Sequence, residues 1–184
     1  MDNRLIESCQ KGDRRALEQL YTQYAPKMKA ICIRYVHSMY EAEDVFQEAF
    51  IKVLRDIRNF NHQGSFDGWI RKIVVRSAID HYKKNKGYMQ SISYEDMEEP
   101  EDCTGDLASQ LSVQELLEII QKLPLGYRLV FNLYAIEGYS HVEIAEMLSI
   151  SESTSRSQLC KARHLIQQEL KQQHALLNEK RYAG

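Results

Sequence analysis

The sequence predicts an all-α protein, with two small helical domains joined by a flexible acidic linker. Three observations point to it. Eight Gly and three Pro in 184 residues leave few helix breakers, while Leu, Ile, Glu, Gln, Lys and Ala dominate. Apolar residues recur at helical spacing in two separate blocks. Between the blocks, from Gly87 to Ser112, lie seven carboxylates and no Lys or Arg, and such self-repelling, weakly apolar chain favours a tether. The expected boundaries are 1–86, 87–112 (the linker), 113–172 and a tail over 173–184. Within the linker, Leu107 to Leu111 is apolar enough for one short helix.

In the first block, Ala16, Leu17, Leu20, Tyr21 and Tyr24 share one helical face. Pro26 is expected to open the next helix, because proline fits the first turn, and Met28, Ile31, Cys32 and Tyr35 continue the pattern. Ser38-Met39-Tyr40-Glu41 is a capping box, in which each end side chain satisfies an orphan backbone N–H. The helix it opens carries the apolar stripe Ala42, Val45, Phe46, Ala49, Phe50, Val53, Leu54 and Ile57. Asp44, Gln47, Glu48, Ile51 and Arg55 fall on the opposite face. Ile51 is the odd member: it is either an ordinary exposed isoleucine or the centre of a partner surface.

Asn59 to Ser65 reads as a loop from its Asn and Gly content. A helix should begin near Phe66 or Asp67, with Trp69, Ile70, Ile73, Val74 and Ala78 inward and Lys72, Arg76 and Lys83 outward. Between Arg71 and Lys86, six basic residues stand against the single acid Asp80. Such a face is often merely solvated. Beside Phe60 and Phe66, however, it suits single-stranded nucleic acid, whose phosphates need cations and whose unstacked bases need aromatic or pocket surfaces.

The second block opens with a helix face of Leu116, Leu117, Ile120 and Leu123, followed by a turn at Pro124. Leu129, Val130, Leu133, Tyr134 and Ile136 form the next helix, ended by Gly138. Ser140-His141-Val142-Glu143 is a second capping box, opening a short helix with Ile144, Ala145 and Leu148. After the turn Ser149-Ile150-Ser151, a last helix starts near Glu152 with Leu159, Ala162, Leu165 and Ile166 inward. Two short helices joined by a tight turn make a helix-turn-helix, whose second helix enters the major groove. On that helix Ser153, Thr154, Arg156, Ser157, Gln158 and Lys161 are expected to point outward. Arg156 can meet guanine or a phosphate and Gln158 can read adenine, while Lys161 and Arg163 suit phosphates.

The net charge of −2 conceals this segregation of basic and acidic stretches. The four cysteines are scattered without a CxxC pair, the pattern of reduced thiols in a cytoplasmic protein. The six histidines lack metal-ligand spacing, and no P-loop or nucleophile motif occurs, so no catalytic residue, metal or cofactor is expected. No apolar run approaches the roughly 20 residues of a membrane span, and no charged-then-apolar leader opens the chain.

Ala42-Glu43-Asp44-Val45-Phe46-Gln47-Glu48-Ala49-Phe50 resembles region 2.2 of bacterial sigma factors. Phe66 to Ile73 resembles regions 2.3 to 2.4, and Leu123 to Arg163 resembles region 4. The absence of further domains places the resemblance with the extracytoplasmic-function group. What this implies is a non-enzymatic subunit of RNA polymerase that recognises promoters, melts the −10 element and starts transcription. Core polymerase would be met by Asp44, Gln47, Glu48 and Ile51. The loop bearing Phe60, Asn61, His62 and Phe66 would capture an unpaired −10 base, with Arg71, Lys72 and Arg76 holding the adjacent strand. The last helix would read the −35 element as duplex, and an anti-sigma factor is an implied partner.

Three positions depart from the family pattern: Ser155 for a common Val, Gln158 for a common Arg, and Ser149 for a common Gly. Ser155 is expected to weaken packing of the last helix, Gln158 to alter base preference, and Ser149 to burden the turn with a Cβ. The rival reading is a conventional helix-turn-helix regulator with a sensor or dimerisation domain. It accounts for the second block but not for the acidic face of the capped helix.

Overall fold

The computed structural model describes the backbone of residues 3–89 and 113–182 and the side chains of 3–85 and 115–172. The described residues form eight α-helices and no strand: α1 Asn3–Gln10, α2 Arg14–Tyr35, α3 Met39–Asp56, α4 Phe66–Met89, α5 Val113–Lys122, α6 Leu125–Phe131, α7 His141–Leu148 and α8 Glu152–Tyr182. The chain divides into two compact units, 1–90 and 91–184. The acidic stretch, the weak helix at 107–111, Cys103 and the side chains of Lys86 and the tail lie outside the described residues.

In the first unit α2, α3 and α4 pack on one another, and α1 lies against α2. Asp13 starts α2 by accepting the amides of Arg15 and Ala16 at 2.8 and 3.1 Å. The helix then runs straight through Pro26, where the sequence suggests a helix start. Leu20, Tyr24, Met28 and Cys32 are buried at four-residue spacing on both sides of the proline. Each such burial is worth about 1.5–3 kcal/mol, which together exceed the ~3 kcal/mol that an internal proline costs. Tertiary packing overrides the local signal.

The capping box Ser38/Glu41 forms as the sequence predicts. Of the expected inner stripe of α3, Ala42, Val45, Phe46, Ala49, Val53 and Ile57 are buried, but Leu54 is 37% exposed. After a 3-10 turn at Ile57–Asn59, the loop passes through left-handed backbone at His62 (φ 59°) and Gly64 (φ 93°). Ser65 then caps α4 by accepting the Gly68 amide at 3.0 Å.

In the second unit α6 and α7 pack on α8, and α5 touches α8 as well. Leu129, Leu133, Ile144, Ala162 and Ile166 are fully buried at the centre. The helix begun by α6 continues as a π-helical turn over Asn132–Ile136, which widens the chain just before the helix-turn-helix. The second capping box, Ser140/Glu143, opens α7. Its C-cap is Ser149, held at φ 55°, ψ 52°. A non-glycine residue in this left-handed conformation costs about 1–2 kcal/mol, of which glycine gives back part to its own chain entropy. Ser149→Gly is therefore expected to stabilise the second unit by about 0.5–1 kcal/mol. A calorimetric scan of the full chain should show a raised Tm; an unchanged or lowered Tm would contradict the strain.

Cys9 and Cys32 are free and buried, and burial raises both thiols, Cys32 to about 12. Cys160 is half-buried in α8. Among the described residues no helix is long and apolar enough to cross a membrane.

Candidate protein and nucleic-acid interfaces

The outer face of α3 is the first candidate. Ile51 is 65% exposed, although a β-branched side chain of its size is ordinarily found inside. Asp44 and Gln47 are exposed beside it. Glu48 lies 3.6 Å from Lys84 of α4, a solvent-screened pair worth under about 1 kcal/mol, so a partner can displace it. Lys29 pairs with Glu43 at 2.8 Å and covers the Phe46 ring, fixing α3 against α2. One turn before Asp44 stands Tyr40, 88% exposed, with Met39 beside it. Tyr40, Asp44, Gln47 and Ile51 share one face through spacings of four, three and four. The resemblance did not reach Tyr40; an aromatic on the polar side of an amphipathic helix was the available signal.

The second candidate is the loop between α3 and α4. Phe60 and Phe66 are 5% and 4% exposed, so they are not open stacking platforms as the sequence suggests. They form an aromatic cluster: Phe60 lies 5.1 Å from Phe66 and 5.4 Å from Trp69, and Tyr24 meets Phe66 edge-on at 5.6 Å. Such a cluster is a core that the loop folds onto. Above it opens a cleft of about 330 Å³, lined by Asn3, Ile6, Phe60, His62, Gly64, Ser65, Phe66 and Asp67. This volume lies at the lower end of small-ligand sites, enough to admit a single planar ring system.

Asn3, His62, Ser65 and Asp67 give the cleft its polar lining, and further polar groups brace the elements around it. Tyr24 donates its hydroxyl to Asp67 at 3.1 Å, and burial, with Asp67 second, raises its pKa to about 12. Asp67 also meets Lys27 at 3.5 Å. Asn61 accepts the Gln63 amide at 3.1 Å, which shapes the loop, while His62 is exposed with its ring 5.0 Å from Phe60. Gln10 of α1 donates to the carbonyls of Ile57 and Phe60 at 3.1 and 2.8 Å, pinning the loop's entry. Asn3, Asp67 and Gln10 were not found from the sequence. Gln10 acts across 50 residues, a separation that no local pattern reveals.

Lys72 and Arg76 of α4 are exposed and Arg71 is half-buried. The expectation that this basic run lacks balancing acids fails at Lys84, which meets Glu48, whereas the run's own acid, Asp80, is taken by Lys52 at 3.1 Å and balances none of the six. Both partners come from α3, which packs alongside.

The third candidate is the start of α8. Ser151 caps it, accepting the Thr154 amide at 3.0 Å and lying 2.7 Å from the Thr154 hydroxyl. Ser153 and Arg156 are exposed, with Arg156 paired to Glu152 one turn earlier, and Ser157, Lys161 and Arg163 are half-buried. Gln158, expected to point outward, is half-buried with its amide nitrogen 3.3 Å from where a Cβ on Gly126 would stand. Gly126 is what leaves room for it. Arg163 lies 5.8 Å over the Tyr134 ring.

Ser155 corrects another expectation. It is fully buried, and its hydroxyl lies 2.9 Å from Nδ1 of His141 at the start of α7. The hydroxyl is thus satisfied across the helix pair instead of weakening it. Tyr134 stacks on His141 with centroids 4.5 Å apart and planes at 21°.

These two units match known families in order. The family model for sigma-70 region 2 matches residues 20–88, and that for sigma-70 region 4 matches residues 113–166. The RNA polymerase sigma-H factor of Pseudomonas aeruginosa is 32% identical over 180 residues, covering 92% of this chain and 93% of its own length. The ECF RNA polymerase sigma-E factor of Escherichia coli is 32% identical, covering 90% and 92%. Among solved structures, CnrH in complex with the cytosolic domain of CnrY superposes with a TM-score of 0.51 at 20% identity, covering 92% of this chain and 97% of that one. That last likeness is one of fold.

Proposed function

Because the chain belongs to the sigma-70 family, in its extracytoplasmic-function group, we propose that its two units divide promoter recognition between them, the first docking on polymerase and trapping an opened strand. The chain is a sigma factor: it binds core RNA polymerase and directs it to promoters. In this reading 1–86 carries the polymerase and −10 functions, 113–172 carries the −35 function, and 87–112 is the acidic tether. It is a cytoplasmic, non-enzymatic subunit that needs no metal or cofactor, and an anti-sigma factor is among its partners.

The observation that carries the docking role is Ile51, exposed at 65% among Asp44, Gln47 and Glu48. An apolar centre ringed by charge is the layout of a protein interface, with water excluded at the middle and specificity set at the rim. For the −10 element, the cleft above Phe60 and Phe66 receives one extruded base, and His62, Ser65 and Asp67 offer polar atoms to its edge. Extrusion costs a few kcal/mol. Lys72 and Arg76, with Arg71 beside them, supply phosphate contacts that offset this cost. In the second unit, Ser153, Thr154, Arg156 and Ser157 face base edges, Gln158 reaches them by turning away from Gly126, and Lys161 and Arg163 hold phosphates.

Reconstitution tests this directly. Added to sigma-free core polymerase and a random promoter library, the chain should start transcription from a subset sharing two elements. Binding to duplex without any initiation would instead identify a conventional regulator.

A further inference from the structure

We propose that His141 is a positioning residue for duplex recognition, setting the register of the reading helix through its hydrogen bond to the buried Ser155. The inference rests on the reading that the start of α8 enters the groove.

Three elements meet at this imidazole. Its Nδ1 lies 2.9 Å from the Ser155 hydroxyl of α8, and its face stacks on Tyr134 of the π-helical turn at 4.5 Å. Tyr134 in turn lies under Arg163, again from α8. The ring itself stands at the first turn of α7. Ser155 is fully buried, and a buried hydroxyl without a partner is strongly disfavoured, so the bond has no solvent substitute. A contact that leaves no buried polar atom unpaired holds the rotation of α8, whereas a stranded hydroxyl or ring nitrogen drives the helix to shift. Ser155 sits between Thr154 and Arg156, so a slip of one residue would turn the reading side chains by about 100°. The π-helical turn is what brings Tyr134 under the ring.

Protonation provides the readout. The charged groups facing His141 from α8 are Arg156, Glu152 and Arg163; from the π-helical turn the facing group is the Tyr134 ring. Burial first, then Arg156 and Arg163 against the opposing Glu152, hold the imidazole below its usual range. The unfolded chain therefore takes the proton first. The arrangement is complete above the ordinary histidine pKa of about 6.5 and is lost as pH falls below it toward the folded value.

The test uses holoenzyme and a promoter selected by the wild-type holoenzyme from a random library. His141→Phe keeps the stack but strands the Ser155 hydroxyl, and Ser155→Val strands the imidazole nitrogen. Each should weaken promoter binding about tenfold. The double variant, with an apolar contact in place of the polar one, should return to within about threefold of wild type, a coupling that independent sites do not show. Wild-type binding should also fall between pH 7.5 and 5.5 more than that of the double variant. His141→Gln, which keeps a hydrogen-bonding group without titrating, should bind well and follow the flatter profile. Additive losses in the double variant, or identical pH profiles in all, would overturn the proposal. A wild-type holoenzyme that selects no upstream element would instead overturn the reading of α8 itself.

Discussion

Replacing Ile51 with Glu is expected to weaken binding to core polymerase at least about thirtyfold, roughly 2 kcal/mol, while leaving the fold intact. The fold is spared because Ile51 projects from α3 into solvent at 65% exposure and supports nothing beneath it. The interface suffers because a carboxylate at its centre must be desolvated, while Arg55, the cation one turn on, is already held by Asp56 at 2.7 Å. Truncating the rim, by Asp44→Ala with Gln47→Ala, should weaken the same complex less and leave DNA binding by the second unit unchanged. Tyr40, exposed on the same face one turn before Asp44, is expected to add a contact to the proposed interface, so that Tyr40→Ala has an effect near that of the rim pair. Fluorescence titration of labelled protein with core polymerase checks all three. An Ile51→Glu protein of full helicity that binds core normally would remove α3 from the interface.

The largest effect on stability is expected at Phe66. Its ring is 4% exposed, stacks on Trp69 at 5.4 Å, and meets Phe60 and Tyr24 edge-on. Phe66→Ala removes this payload and leaves a cavity, a loss of about 3–5 kcal/mol. For a unit of this size that is a large share of the total stability, about 0.05–0.15 kcal/mol per residue. Urea unfolding of the full chain should show the first unit's transition shifted accordingly. Phe66→Leu separates wall from platform. If the ring only forms the floor of the cleft, the leucine variant retains much of its promoter melting. A leucine variant with near-normal stability and no melting would show that the ring itself stacks on the base.

The sequence reveals this protein unevenly, for physical reasons. Both capping boxes are legible because three residues define them and the bonds close within one turn. The helix-turn-helix is legible because its two helices and turn are contiguous. Pro26 misleads because its cost is local while the burial of Leu20, Tyr24, Met28 and Cys32 that outweighs it is set by packing against other helices. Phe60 and Phe66 line the cleft, but their burial is not readable from the sequence: an aromatic beside basic residues looks alike whether it faces a base or the core. Lys84 seems unbalanced in its own segment until α3 supplies Glu48.

The departures at Ser149 and Ser155 show the same division. The left-handed C-cap at Ser149 follows from turn geometry, so the burden expected of its Cβ is found in the backbone. The fate of Ser155 depends on His141, fourteen residues away, and only the fold brings them together. Gln158 is similar, since its amide is placed by the missing side chain of Gly126.

In the proposed division of labour the face of α3 joins the chain to polymerase, and everything at the promoter follows from that union. Its most direct measurement is the equilibrium affinity of the purified chain for sigma-free core enzyme, with Ile51→Glu in parallel. The expected result is a stoichiometric complex for the wild type and loss of most of it in the variant. A wild-type chain that remains unbound at micromolar core polymerase would contradict it.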